Sequence, residues 1–252
     1  MRRGPRVQDD VVCRTHSTPA PLALVKRWLH LYGIKMTTVP RIQQNLLAAN
    51  ERLLLNWLCP RLPRWVSPDM MTALGFAGAL MVGTGYVLSA QSLLWLWLAQ
   101  LGYLLNWFGD SLDGSLARYR RIERPKYGYF IDHSVDALAI LAMLVGLGLG
   151  PFVELEVALI ALVAYLLLSI HTYLCAQVMD EFKLTYLAGG PTELRLMLMA
   201  MTATMFFVGP DKLFGTGLSA FDMFALVVSA ILVAIFVAQT AGTARILAER
   251  EG

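Results

Sequence analysis

The 28 residues GDSLDGSLARYRRIERPKYGYFIDHSVD, Gly109–Asp136, hold four aspartates and five basic side chains. Asp110 and Asp113 are three apart, and Asp132 and Asp136 are four apart. On helices each pair shares one face. Four negative charges at a partly dehydrated site repel strongly, so the pattern calls for a cation. Oxygen ligands alone, with no His or Cys at metal spacing, favour Mg²⁺ or Mn²⁺. Two divalent ions would balance four carboxylates. Gly109, Ser111, Gly114, Ser115 and Ala117 crowd the same helix end. Their small side chains leave room for a ligand to reach the backbone. Arg118, one turn past Gly114, can reach a phosphate. Cations, an arginine and a cleared surface together suit a diphosphate.

The elements that must position these groups are apolar. Met70–Phe108, immediately before the cluster, is 39 residues without a charged side chain. The 252-residue chain is 57% hydrophobic and only 15% charged, against about 25% charged in soluble domains. Six spanning segments are predicted near 69–89, 92–117, 128–149, 153–178, 192–209 and 219–245. The first two form a hairpin through SAQS. Stretches such as GFAGALMVGTG and VGLGLG suit close helix packing in lipid. Residues 41–59 alternate apolar and polar positions at helical spacing, with Ile42, Leu46, Leu47, Leu53, Leu54, Trp57 and Leu58 on one face. They predict an amphipathic helix lying in the membrane interface, broken by Pro60, Pro63 and Pro68. The fold class expected is all-α integral membrane, six transmembrane helices preceded by this interfacial helix.

No signal peptide is expected at the start, since Arg2 and Arg3 lead into polar sequence. Residues 1–20 are expected to be disordered, 21–67 juxtamembrane, and 68–252 one six-helix domain. Cys13, Cys59 and Cys175 have no metal spacing and read as inert thiols. The net charge of +3 gives no argument for nucleic acid. Arg118, Arg120, Arg121, Arg124 and Lys126 face only Glu123 in the loop that joins the second and third spans. That excess places the loop and both termini in the cytoplasm. Cytoplasmic access suits a nucleotide. A short loop between those spans predicts antiparallel neighbours whose carboxylates converge.

The stretch resembles the CDP-alcohol phosphotransferase family. Its pattern is Asp-x-x-Asp-Gly-x-x-Ala-Arg, eight or nine residues, then Gly-x-x-x-Asp-x-x-x-Asp. The chain fills every fixed position with Asp110, Asp113, Gly114, Ala117, Arg118, Gly128, Asp132 and Asp136. The six-helix layout extends the likeness to about residues 41–247. The resemblance implies a membrane transferase of phospholipid biosynthesis. It would move a substituted phosphoryl group from a CDP-linked donor to an alcohol and release CMP. It implies two divalent cations, Mg²⁺ or Mn²⁺, held by Asp110, Asp113 and Asp132, with Asp136 as general base close to them. It implies that Gly114 and Ala117 pack on the cytidine, that Arg118 holds the nucleotide or its phosphates, and that Gly128 allows close helix approach. It also implies a homodimer. The expected location is an integral protein of the bacterial inner (cytoplasmic) membrane with its active site toward the cytoplasm.

Other candidates have two readings each. SPDMMT resembles the family's Pro-Asn-x-x-Thr segment, with Asp69 in place of Asn. Thr72 either touches the nucleotide or simply packs at a capped helix start. Asn106, one turn before Asp110, is a partner of the site or an interhelical bond. Arg120, Arg121 and Arg124 hold an acceptor phosphate or anionic headgroups. His133, within FIDHSVD, and the segment GGPTELR resemble choline and ethanolamine phosphotransferases. Glu193 and Arg195 belong to the acceptor site or form a structural pair. His171 reads as a satisfied buried histidine rather than a ligand.

The donor is therefore either CDP-diacylglycerol, with a polar alcohol as acceptor, or a CDP-aminoalcohol, with a lipid alcohol. A cation- or proton-coupled transporter is the competing class. Its charges belong near the bilayer midplane on broken helices, whereas these lie at one mouth beside glycines and an arginine. A non-catalytic scaffold would be expected to lack one of the aspartates.

Overall fold

A proline opens the first long helix and another opens the third, and between them glycines set how closely the chain packs. The computed structural model of the chain describes residues 41–42, 48–178, 182–183, 191–210 and 217–251. The segment 1–20, the neighbouring residues up to Pro40, and Cys13 lie outside them. The described residues belong to one compact unit, Val39–Gly252.

The elements are β1 (Arg41–Ile42), α1 (Ala48–Leu58), α2 (Pro68–Leu88), α3 (Leu96–Arg120), α4 (Pro125–Leu149), α5 (Leu155–Val178), β2 (Phe182–Lys183), α6 (Pro191–Val208) and α7 (Ala220–Glu251). Single 3₁₀ turns, Cys59–Arg61 and Leu93–Trp95, follow α1 and precede α3. β1 and β2 are a two-residue parallel pairing. Of the helix expected over 41–59, Ala48–Leu58 is helical and residues 41–42 are extended, while 43–47 lie outside the described residues.

Four helices, α2, α4, α5 and α7, are long and apolar enough to cross a membrane. The two other predicted spans form helices but fall short of that description. α3 has 25 residues, but its second half carries Asp110, Asp113, Arg118 and Arg120. The apolar part of α6, Leu194–Val208, has 15 residues, about 22 Å of helix against a hydrocarbon core of roughly 30 Å. α7 has 32 residues and ends in a charged turn.

Ser67 caps α2, its Oγ accepting from Met70 N at 3.2 Å, with Pro68 at the first helical position and Asp69 in the first turn. From there α2 lies against α3 along a seam of small residues. A Cβ on Gly109 would stand 2.4 Å from Gly75 N, and one on Gly102 2.6 Å from Gly78 O. On its other side α2 meets α4, where a Cβ on Gly146 would stand 2.3 Å from Gly83 Cα. Only hydrogen side chains fit, so the backbones close to van der Waals contact.

This seam changes one expectation. Among the described residues α3 and α4 make little direct backbone contact, although a turn of four residues joins them. α2 packs against both instead. The space between α3 and α4 is where their acidic faces meet.

A buried polar link crosses the apolar core. Tyr86 Oη lies 3.1 Å from Tyr103 Oη and 2.5 Å from Thr202 Oγ1, tying α2, α3 and α6. Such pairing answers the cost of burying hydroxyls in a greasy interior. Away from the acidic cluster, buried Asp222 caps α7, accepting from Ser219 N at 2.7 Å and from Glu154 N at 2.8 Å. A second apolar cluster, Leu55, Cys59, Val66, Met71, Leu112 and Leu116, seats α1 on α2 and α3. Leu53, Leu54 and Trp57 on α1 stay exposed, as does Trp65 beyond it.

Candidate active site

The helical spacing of the acids places them as follows. Asp110, Asp132 and Asp136 each offer a carboxylate oxygen, all within 4.8 Å of one another, and all three side chains are half-buried. Two like unit charges about 4.8 Å apart repel by roughly 3 kcal/mol at an effective dielectric near 20. Arg195, from the first turns of α6, answers one of them, its Nη2 donating to Asp110 Oδ2 at 2.6 Å. The side chain of Arg195 is only 16% exposed. His133 Nδ1 lies 3.9 Å from Asp132 Oδ2, and the convergence of three carboxylates is of the kind that suits a hard cation. The donor set is all oxygen, which fits Mg²⁺ or Mn²⁺.

Asp113 is not among those three. Its Oδ2 accepts from Thr72 Oγ1 at 2.7 Å and its Oδ1 from Gly114 N at 2.5 Å. Thr72 Oγ1 also lies 3.3 Å from Pro68 O. Thr72 thus links α2 to an acid of α3, which goes beyond capping. Asn106, buried, donates to Gly75 O at 3.0 Å, an interhelical bond on the same seam. It also lines a small cavity with Asp136, Tyr165 and Arg195.

Arg118 folds back along α3. Its Nη2 donates to Ser115 Oγ at 3.1 Å, and a Cβ on Gly114 would stand 3.2 Å from its Nη1. Gly114 therefore leaves the space in which this exposed guanidinium lies, and Ala117 is half-buried beside it. Gly128 does not provide close helix approach: it is exposed, and a Cβ there would meet nothing within 4 Å. α4 is separated from α3 at that point, so no second backbone comes near.

Arg120 is engaged by backbone carbonyls of the linker before α2. Its guanidinium donates to the carbonyls of Leu62 at 3.2 Å and Pro63 at 2.8 Å, and also to Val66 O. It pins the linker between α1 and α2. Arg121 is exposed and takes a left-handed conformation, φ 59°, at the end of α3. Ile122 N returns to Ala117 O at 3.1 Å, closing the helix as a Schellman turn usually completed by glycine. Arg124 pairs with Asp69 at 2.5 Å and lies over the Tyr127 ring. The Asp69 hydrogen bond holds the Arg124 guanidinium above its ordinary pKa.

His133 stacks on Tyr173, centroids 4.7 Å apart, and meets the Tyr129 edge at 4.3 Å. The side chain of Glu193 lies outside the described residues. His171 is buried and satisfied, Nδ1 lying 3.2 Å from Thr240 Oγ1 and Nε2 3.3 Å from Cys175 Sγ.

Sequence reasoning missed Glu51, Tyr165 and Tyr173. Glu51 was one polar residue of an amphipathic helix, and the tyrosines lay in an apolar run. Nothing local marked any of them.

Fold and site together define a helical integral-membrane protein with an all-oxygen carboxylate cluster between two of its helices. The chain belongs to the CDP-alcohol phosphatidyltransferase family, whose profile matches residues 65–239. It is 31% identical over 104 residues to an archaetidylinositol phosphate synthase of Pyrococcus horikoshii, an alignment covering 41% of this chain and 52% of that relative. It is 29% identical over 132 residues to an archaetidylinositol phosphate synthase of Methanothermobacter thermautotrophicus, covering 52% and 65% respectively. The alignments thus span about half to two thirds of these relatives. Both are archaeal, so they lend nothing to a bacterial assignment.

Proposed function

We propose that this chain transfers a substituted phosphoryl group from a CDP-linked lipid, CDP-diacylglycerol or a close equivalent, to a polar alcohol, with release of CMP. The observation that carries the reading is the convergence of Asp110, Asp132 and Asp136, joined by Arg195, within a chain of this family. The names of the two relatives describe a lipid with a phosphorylated polar headgroup. They favour a lipid donor and a polar acceptor over transfer of an aminoalcohol headgroup.

Asp110, Asp113 and Asp132 would hold two divalent cations, Mg²⁺ or Mn²⁺. When bound, these supply charge neutralisation for the diphosphate and the CMP leaving group. Asp136 accepts the proton of the acceptor hydroxyl, which is a poor nucleophile without a base. Holding the acceptor hydroxyl close to this base would supply much of the rate. The small Gly114 and Ala117 would take the cytidine in the space where the exposed Arg118 guanidinium now lies, once that guanidinium swings onto the nucleotide phosphates. Thr72 orients Asp113. Arg195, next to Asp110, faces the acceptor. The arginines of the α3–α4 turn favour a site open to the cytoplasm. α3 and α6 complete six membrane helices, and the protein works as a homodimer.

The test is CMP release by purified protein in detergent with Mn²⁺ or Mg²⁺. Labelled CDP-diacylglycerol and CDP-ethanolamine would be compared against a panel of polar and lipid alcohols. CMP from the lipid donor with a polar acceptor is the expected result. CMP from CDP-ethanolamine and a lipid alcohol would reverse the donor. Release from neither, with no binding of a cytidine nucleotide, would end the enzymatic reading.

A further inference from the structure

Glu51 is an acid on a helix several of whose apolar residues are exposed, and it turns inward. Leu53, Leu54 and Trp57 of α1 are exposed, while Glu51 is half-buried and faces α3 and α6. Its Oε1 accepts from Trp107 Nε1 at 3.2 Å and from Ser111 Oγ at 2.8 Å, both on α3. Its Oε2 accepts from Thr192 Oγ1, on the first turn of α6, at 2.9 Å. One carboxylate thus bridges two helices that belong to the site.

The positions of these donors matter. Trp107 is three residues before Asp110, and Ser111 is one after it. Thr192 is three residues before Arg195. The helix turns held by Glu51 are therefore the turns that present Asp110 and Arg195 to each other at 2.6 Å. Hydrogen bonds to an ionised acceptor are stronger than neutral ones, and a carboxylate can accept on both oxygens at once. A neutral side chain of this reach would not hold both helices equally well.

We propose that Glu51 is a positioning residue of the active site, holding α3 and α6 in the register in which Arg195 meets Asp110. It rests on the transferase reading for its catalytic consequence, but its mechanical content does not depend on that reading. The outward apolar residues of α1, Leu53, Leu54 and Trp57, are thereby on the helix that holds the catalytic cluster in register. A detachment of α1 would loosen the Arg195–Asp110 pair without touching either residue.

The experiment is a double-mutant cycle on kcat/KM for the acceptor, using Glu51→Ala, Arg195→Ala and the double variant. Loss of a residue that orients a metal-site ligand costs about 10- to 100-fold, and Glu51→Ala is expected within that range. In the Arg195→Ala background the same change should cost less than about twofold, because coupled residues are not additive. Glu51→Gln keeps one acceptor oxygen, and its amide N–H can still donate to the hydroxyl oxygen of Ser111 or Thr192, so it should lose less than Glu51→Ala. Multiplying effects would overturn the proposal, as would equal losses for Gln and Ala.

Hydrogen–deuterium exchange gives a readout free of turnover. Glu51→Ala should raise exchange over residues 194–198, and unchanged exchange there would overturn the proposal. If wild-type protein releases no CMP, the transferase reading fails and the exchange measurement still decides the role of Glu51. Should Glu51→Ala not yield monodisperse protein, Thr192→Val removes only the α6 arm and carries the same expectations and the same reversals.

Discussion

Thr72 donates to Asp113 across 2.7 Å, so the first turn of α2 reaches an acid of α3 that lies 41 residues further along the chain. The bond joins a proline-opened, Ser67-capped helix start to the acidic face. Asp113 is the acid outside the three-oxygen convergence, and Thr72 sets which way it points. Thr72→Val should weaken Mn²⁺ activation by about tenfold, the lower end for lost orientation of a ligand. Thr72→Ser, which keeps the hydroxyl, should restore it. A metal titration of activity checks both, and identical curves for Val and wild type would remove Thr72 from the site.

Asp136 separates binding from chemistry. It lies within 4.8 Å of Asp110 and Asp132, and it lines the small cavity with Tyr165 and Arg195. Asp136→Asn should keep nucleotide binding with Mn²⁺, measured by calorimetry, while turnover falls by at least about 10², the range for a lost general base. Turnover near wild type would exclude it as the base.

Two glycines of α3 make a contrasting pair. A Cβ on Gly109 would lie 2.4 Å from the backbone of α2, which cannot yield without parting the helices. Gly109→Ala should therefore cost about 1–3 kcal/mol or more, the range for overpacking, read as a lower melting temperature in detergent. A Cβ on Gly114 meets only the flexible end of Arg118 at 3.2 Å. Gly114→Ala should melt like wild type and bind cytidine nucleotides less well. Equal melting of the two variants would contradict the seam.

Arg120 carries a stability prediction where the motif reading suggested a binding one. Its fork holds the carbonyls of Leu62 and Pro63, and hydrogen bonds to a charged donor contribute about 1.5–3 kcal/mol each at most. Arg120→Ala should lower the melting temperature and leave the acceptor KM within about twofold, since this guanidinium is engaged with the linker. A large rise in KM with unchanged melting would return Arg120 to the acceptor site.

Metal removal tests the cluster as a whole. Chelation should abolish CMP release, and added Mg²⁺ or Mn²⁺ should restore it. Asp110→Ala should weaken metal-dependent nucleotide binding, which calorimetry with and without chelator would detect. Full activity in excess chelator would show that these carboxylates serve another purpose.

Much of the framework was legible in the amino-acid order. Apolar runs, prolines and the i, i+3 and i, i+4 acids are local features, and helix formation responds to local features. The predicted segments near 69–89, 128–149 and 153–178 accordingly agree with α2, α4 and α5 to within three residues at either end. The motif around Asp110 and Asp136 named the family before any helix was packed. The partners of those residues were decided only by tertiary structure. Glycine contacts put α2 against both α3 and α4 and so separated the latter two, which no periodicity encodes. That arrangement gathers Asp110, Asp132 and Asp136, hands Asp113 to Thr72, turns Arg120 to carbonyls, and brings Glu51 and Arg195 inward. A local pattern fixes which face of a helix is polar, but what that face meets depends on distances between helices, and those are set where backbones touch.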